Sequence, residues 1–206
     1  MNIIFEKAGR KFGAQVVFQN LNRVFEPGCR VAVLGGNGSG KSTFLKTLYG
    51  SLSLSSGKVV HEQAGQKLQG HAVARQIAFA GPYFERIEEL PAQEFLDYYQ
   101  RFRQLKPSTT TAQVLDAALL TEAAQKQISN FSSGMKQRLK LALALFSQTE
   151  VVILDEPTSN LDPKGMEWFQ KLLESELGKR SLFVGSNFSA TETFLCEEKV
   201  ELKDIR

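Results

Sequence analysis

A run of nine residues has the composition and spacing of a loop that binds phosphate: Gly35-Gly36-Asn37-Gly38-Ser39-Gly40-Lys41-Ser42-Thr43. It fits the pattern G-x-x-x-x-G-K-[ST]. The glycines Gly35, Gly38 and Gly40 allow successive backbone N–H groups to form an anion-binding nest at a helix N-terminus. Lys41 would then reach the β and γ phosphates, and the Ser42 hydroxyl would coordinate Mg²⁺. The alternative is a glycine-rich turn that contains an incidental lysine.

A pair of adjacent carboxylates forms a second candidate for chemistry. Asp155 and Glu156 directly follow the apolar run at 151–154, which is typical of a strand buried on both faces of a parallel sheet. Ligands bind beyond the carboxyl ends of such strands, so we expect the pair to face the same crevice as the phosphate loop, residues 35–43. We predict that Asp155 holds Mg²⁺ and that Glu156 orients and deprotonates the attacking water. The alternative is an acid pair that caps a helix.

A second candidate anion site lies at Phe131-Ser132-Ser133-Gly134-Met135. Ser132 offers a hydroxyl, Gly134 offers access to the backbone, and both lie at the N-terminus of a helix predicted over 133–147. A helix of about 14 residues spans roughly 21 Å, so its start cannot easily reach the phosphate loop of the same chain. We therefore expect this segment to contact a nucleotide bound to another subunit.

The elements that must position these residues alternate between strands and helices. Strands are predicted at 3–5, 16–18, 21–25, 31–34, 58–62, 72–80, 151–154, 181–185 and 199–202. Helices are predicted at 43–48, within 91–126, and at 133–147, 163–177 and 190–195. This order predicts an α/β fold with a mostly parallel sheet flanked by helices and an N-terminal antiparallel β subdomain. We expect one domain, with a core of 1–82 and 135–206 and a helical subdomain over 83–134.

The composition is that of an ordinary globular domain: 206 residues, 23% charged and 42% hydrophobic, with a net charge of +3. The basic residues are dispersed, so we expect no nucleic-acid partner. No apolar run approaches the ~20 residues that cross a bilayer, and the first residues lack the pattern of a leader peptide. Cys29 and Cys196 are lone thiols, which favours a reduced intracellular setting.

Taken together, the motifs resemble the ATP-binding cassette (ABC) ATPase family over nearly the whole chain. The phosphate loop corresponds to Walker A, residues 131–135 to the signature, residues 151–156 to Walker B with its glutamate, and Ser159-Asn160-Leu161-Asp162 to the D-loop. The resemblance implies that Ser132, Gly134 and Asp162 lie at the nucleotide. It also implies that Phe12 stacks on adenine; the alternative is a core phenylalanine at a strand end.

What the resemblance implies about function is an ATPase that works as a head-to-tail dimer, homomeric or heteromeric, with ATP and Mg²⁺ between the subunits. Such a subunit drives a separate transmembrane permease from the cytoplasmic face of the membrane. Two alternatives stay open: a soluble ABC ATPase of a non-transport cytoplasmic assembly, and a slow ATP-sensing module.

Three motifs depart from the family pattern, at four positions. The switch histidine is replaced by Asn187, whose amide can donate to a γ-phosphate oxygen but cannot become cationic. The Q-loop glutamine is expected after the strand that ends at Ala80, where Pro82 has no side-chain amide. The signature has Ser133 for glycine and Met135 for glutamine. These departures predict retained ATP binding with slower turnover.

Overall fold

The computed structural model describes residues 1–82 and 88–205, and the chain falls into two compact units. The first unit contains Met1–Gly81, Thr149–Glu156 and Lys179–Arg206, and the second contains Pro82–Gln148 and Pro157–Gly178. The first unit holds both β-sheets, and the second is helical.

The antiparallel sheet of the first unit contains the N-terminal strands. Its members are β1 (Asn2–Phe12), β2 (Gln15–Phe25), β4 (Ser56–Gln63) and β5 (Gln66–Leu68), in the order β2-β1-β4-β5. The intervening strand, β3 (Arg30–Leu34), belongs to the parallel sheet. Its alternating apolar residues face the core, where Phe5 stacks on Phe44 with ring centroids 5.5 Å apart. Phe18 meets the Phe44 ring edge-on at 5.4 Å. The antiparallel N-terminal β region predicted from the sequence is confirmed.

The parallel sheet sets up the candidate site. It contains β6 (Ile77–Ala80), β7 (Val151–Asp155), β8 (Ser181–Ser186) and β9 (Glu198–Glu201), in the order β6-β7-β8-β3-β9. Every residue of β7 and β8 is buried, as the continuous apolar runs indicate. Leu34 pairs with Ser186, and Asp155 pairs with Gly185, so β3, β7 and β8 end at one edge of the sheet.

The described part of the first unit also contains three α-helices, α1 (Lys41–Tyr49), α2 (His71–Gln76) and α7 (Ala190–Thr193), and a 3-10 helix at Leu202–Ile205. The predicted strand over 72–80 is wrong in its first half, because only Ile77–Ala80 is extended. The sequence of α2 is rich in good helix formers, and Val73 is its one buried residue. A single buried side chain suits one helical turn better than a strand.

The second unit is built from α3 (Ala92–Tyr99), α4 (Thr111–Ala117), α5 (Ser133–Phe146) and α6 (Pro163–Leu177). Helix α3 packs on α4, α4 on α5, and α5 on α6. Within the described ranges, none of the helices has both the length and the apolar character needed to cross a membrane. Helices α5 and α6 lie in the same unit as α3 and α4. The predicted division into a core of 1–82 and 135–206 and a helical subdomain over 83–134 stays a prediction.

Candidate functional site

The phosphate loop joins β3 to α1 in a conformation that depends on its glycines. Gly38 and Gly40 have φ angles of 74° and 105°, in the region that favours glycine. A Cβ atom at Gly40 would lie 2.3 Å from Cγ1 of Val17, so β2 packs directly on the loop. The first amides of α1 have no partner within the helix and are therefore available to an anion.

Lys41 is the first residue of α1, and its side chain reaches back to the start of the phosphate loop. Its ammonium group donates to the carbonyl oxygens of Gly35 at 2.9 Å and Gly36 at 3.2 Å. It also lies 3.2 Å from Oε1 of Glu156. The lysine side chain is only 4% exposed, and these oxygens compensate its charge. Phosphate oxygens would compete for the same ammonium hydrogens.

Asp155 ends β7 with a buried carboxylate whose oxygens have no well-aligned hydrogen-bond partner among the described residues. Burial raises the pKa of Asp155, while the nearby Ser42 hydroxyl lowers it. A buried, unpaired carboxylate beside a hydroxyl is a donor set that suits a hard divalent cation. A Cβ at Gly185 would lie 2.7 Å from Oδ1 of Asp155, so the glycine of β8 makes room for this carboxylate.

Glu156 takes a different conformation from its neighbour. Its φ angle is 50°, and its backbone N–H donates to the Gly185 carbonyl at 2.9 Å. This turn sends the side chain out of the sheet, where it is 39% exposed and paired with Lys41. Strained backbone of this kind is concentrated at functional sites. The sequence placed the two carboxylates together but did not predict their different exposure.

Asn187 follows β8 and is exposed. The residue before it, Ser186, accepts a hydrogen bond from the Gly35 backbone N–H at 3.3 Å through its carbonyl oxygen. The loop that carries Asn187 therefore begins beside the first residue of the phosphate loop. This placement is compatible with a γ-phosphate contact, and that role stays a prediction.

Phe12 lies at the end of β1 and is 48% exposed, so the alternative of a core phenylalanine is wrong. The guanidinium carbon of Arg10 lies 4.3 Å from the centroid of its ring. Arg10 also donates to the Ser53 carbonyl at 3.1 Å, which fixes the guanidinium group. Arg10 was not predicted from the sequence, although a cation two residues before an aromatic side chain on an extended strand was the available signal.

The signature and D-loop residues lie in the second unit. Ser132 caps α5 by accepting from the Met135 N–H at 3.2 Å, and it remains exposed. Asp162 caps α6 by accepting from the Gly165 N–H at 2.8 Å. A Cβ at Gly134 would lie 3.2 Å from the Asn160 carbonyl, so the signature glycine permits close contact with the D-loop. The nucleotide contacts of Ser132, Gly134 and Asp162 stay predictions.

Two residues lie near the expected Q-loop in the sequence. Pro82 is exposed, and Tyr83 lies outside the described residues. Gln93, in the first turn of α3, is partly buried, and its amide donates to Oδ1 of Asp97 at 3.0 Å and to the Thr111 hydroxyl at 2.7 Å. Gln93 therefore joins α3 to α4.

Comparison with known proteins identifies the family. Residues 18–159 match the family model described as ABC transporter. The chain is 30% identical over 210 residues to Nod factor export ATP-binding protein I of Paraburkholderia xenovorans, covering 99% of this chain and 68% of that protein. It is 31% identical over 171 residues to lantibiotic transport ATP-binding protein SrtF of Streptococcus pyogenes, covering 81% of this chain and 71% of SrtF.

Solved structures agree on the fold. The dimeric post-hydrolysis state of the ATP-binding cassette MJ0796 bound to ADP and Pi superposes with a TM-score of 0.80 at 24% identity, covering 98% of this chain and 94% of that one. A putative ABC transporter ATP-binding protein from Pyrococcus furiosus gives a TM-score of 0.79 at 20% identity, covering 100% and 99%. These similarities confirm the predicted fold class.

Removing the Phe12 ring should weaken base recognition without affecting phosphate recognition. We expect Phe12→Ala to lower the affinity for ATP about tenfold or more, because stacking of one base contributes about 1–3 kcal/mol. Its affinity for tripolyphosphate should not change. Calorimetric titration of both ligands measures the two effects, and Phe102→Ala, which removes another exposed aromatic ring, serves as the control. Equal losses for ATP and tripolyphosphate would contradict the assignment.

Proposed function

This chain belongs to the ABC transporter family of ATP-binding proteins, and from that membership we propose that it is the ATP-hydrolysing subunit that drives a separate transmembrane permease. The observation that supports this most directly is the convergence of the phosphate loop, Asp155, Glu156 and the Asn187 loop at one edge of the parallel sheet. Each group has a place in a single phosphoryl-transfer reaction.

ATP binding begins with an exchange of partners at Lys41. The ammonium group leaves the carbonyl oxygens of Gly35 and Gly36 and binds the β and γ phosphates, while the amides of the phosphate loop bind the same phosphates from the backbone. Phe12 stacks on the adenine ring. The phosphate contacts come from one continuous segment, which contains Gly35, Gly36, Asn37, Gly38, Ser39, Gly40, Lys41, Ser42 and Thr43.

The residues that would hold Mg²⁺ are Ser42 and Asp155. When bound, the cation would neutralise charge on the transferring phosphoryl group. The buried carboxylate of Asp155 supports this assignment, because it has no well-aligned hydrogen-bond partner among the described residues and a cation would compensate its charge.

Glu156 is released for chemistry when Lys41 turns to the phosphates. Its carboxylate now pairs with Lys41 at 3.2 Å, and loss of that contact leaves a basic group at the edge of the site. Glu156 then orients and deprotonates the water that attacks the γ-phosphate. Asn187 donates its amide to the γ-phosphate and cannot carry a proton, which favours slow turnover.

The second anion site needs a second copy of the fold. We place the signature residues Ser132 and Gly134 of one subunit against the nucleotide held by the phosphate loop of the other, with Asp162 near the same contact. The dimeric form of the similar cassette MJ0796 supports this arrangement. In such a dimer, ATP is part of the interface, and hydrolysis opens it.

The names of the relatives favour transport over the alternative of a soluble cytoplasmic assembly, because both similar proteins are named for export or transport. A permease partner would hold this subunit at the cytoplasmic face of the membrane.

Affinity purification of the tagged chain from its native membranes should recover a multi-span membrane protein. Recovery of a wholly soluble complex would contradict the permease assignment.

Loss of the carboxylate at position 156 should separate ATP binding from hydrolysis. We expect Glu156→Gln to lower phosphate release at least about 100-fold, because the general base is lost, while dimers accumulate in ATP and Mg²⁺. Chelation of Mg²⁺ should abolish phosphate release by the wild type. Glu174→Gln, an exposed change on α6, is the control. Wild-type phosphate release by Glu156→Gln would overturn the proposed mechanism and favour a different base.

A further inference from the structure

A hydrogen-bond relay closes the loop that follows β8. The Ser186 hydroxyl donates to Oε2 of Glu192 at 2.5 Å and accepts from the Ser189 backbone N–H at 3.0 Å. A hydroxyl has one proton, so the contact with Glu192 uses its whole capacity as a donor. Asn187 and Phe188 lie between the two backbone positions that this hydroxyl joins.

Glu192 is unusual for a charged residue because it is only 5% exposed. The sequence from Ser189 to Glu192 has the capping-box pattern, in which the acid bonds the backbone N–H of the N-cap residue. Here the Ser186 hydroxyl stands between the two groups, so the acid acts on the last residue of β8. A simple capping role does not explain why the contact extends back to the strand.

Ser186 is also fixed through its backbone. Its carbonyl oxygen accepts from the Gly35 N–H at 3.3 Å, which places it beside the start of the phosphate loop. The chain then turns sharply at Phe188, whose φ angle is 60°. The Phe188 side chain is 58% exposed. A bulky residue in this region is strained and persists only where its surroundings hold it. The relay through Ser186 supplies that restraint.

We propose that Glu192 is a positioning residue for Asn187: through the Ser186 hydroxyl it holds the loop that presents the Asn187 amide to the γ-phosphate. The proposal rests on the proposed function, in which Asn187 distinguishes ATP from ADP. Glu192 does not touch the nucleotide. Its role is to keep the amide in one orientation before ATP arrives. Binding of the γ-phosphate then does not carry the entropic cost of ordering the loop.

A double-mutant cycle tests this role. Four proteins are compared: wild type, Asn187→Ala, Glu192→Ala and the double variant. For each, the ATP-to-ADP affinity ratio and the kcat and KM for ATP are measured. We expect Glu192→Ala to lower both the ATP-to-ADP affinity ratio and kcat about tenfold, because one charge-assisted hydrogen bond is lost. The KM for ATP should change less than about twofold. The double variant should be no worse than Asn187→Ala alone, because the acid acts through that residue.

Two further variants separate positioning from folding. Glu192→Gln keeps an oxygen that can accept from Ser186 and should restore most of the lost ratio, whereas Ser186→Ala should reproduce the loss even if Glu192→Ala fails to fold. Thr110→Ala removes the capping hydroxyl of α4 and controls for a general loss of stability. It should lower the melting temperature without changing the ATP-to-ADP ratio.

The outcomes distinguish this proposal from the proposed function. Additive losses in the double variant, or an unchanged ratio in both Glu192→Ala and Ser186→Ala, would overturn the positioning role while leaving the ATPase assignment intact. If the wild type prefers ATP but releases no phosphate, the assignment as an ATPase fails and the affinity ratios still test the positioning role. A wild type that does not distinguish ATP from ADP would overturn the positioning role as well.

Discussion

The parallel register of three strands is the constraint on which the candidate site depends. Leu34 pairs with Ser186, and Asp155 pairs with Gly185, so the phosphate loop, the carboxylate pair and the Asn187 loop all leave the sheet at one edge. A shift of one residue in either pairing would turn the side chains of that strand to the opposite face. Buried apolar side chains on β7 and β8 oppose such a shift, because it would remove them from their packing contacts in the core.

The charged groups of the site differ in how the protein itself compensates them. Lys41 is buried, and its ammonium group is held by two carbonyl oxygens and by Glu156. Asp155, one residue earlier in the chain than Glu156, has no comparable partner among the described residues. The two carboxylates thus differ: Glu156 is balanced by a lysine of the chain, whereas the environment of Asp155 supports its proposed role in holding a cation. One strand end thereby carries two carboxylates in different environments.

Much of this organisation is predictable because it is local. The bounds of α6 were predicted at 163–177 from helical periodicity and a proline at its start, and the structure has them at Pro163–Leu177. The buried strand before Asp155 was predictable from its apolar run. Helix α2 was missed although its helix formers are a local signal. Features that need tertiary information were also missed: the different exposure of Asp155 and Glu156, and the relay from Ser186 to Glu192, whose local sequence predicts an ordinary capping box. Glycine at position 185 also has meaning only once β8 lies beside Asp155.

The central claim is that the phosphate loop of one copy and the signature of another jointly hold each ATP. Its most direct test uses the Glu156→Gln background, in which Lys41→Ala disables one half of the pocket and Ser132→Asp keeps the helix cap but places a negative charge against the phosphate. Native mass spectrometry in ATP and Mg²⁺ should find each variant monomeric alone. A mixture of the two should form a heterodimer that holds one ATP. A mixture that stays monomeric, or either variant that dimerises by itself, would contradict the shared pocket.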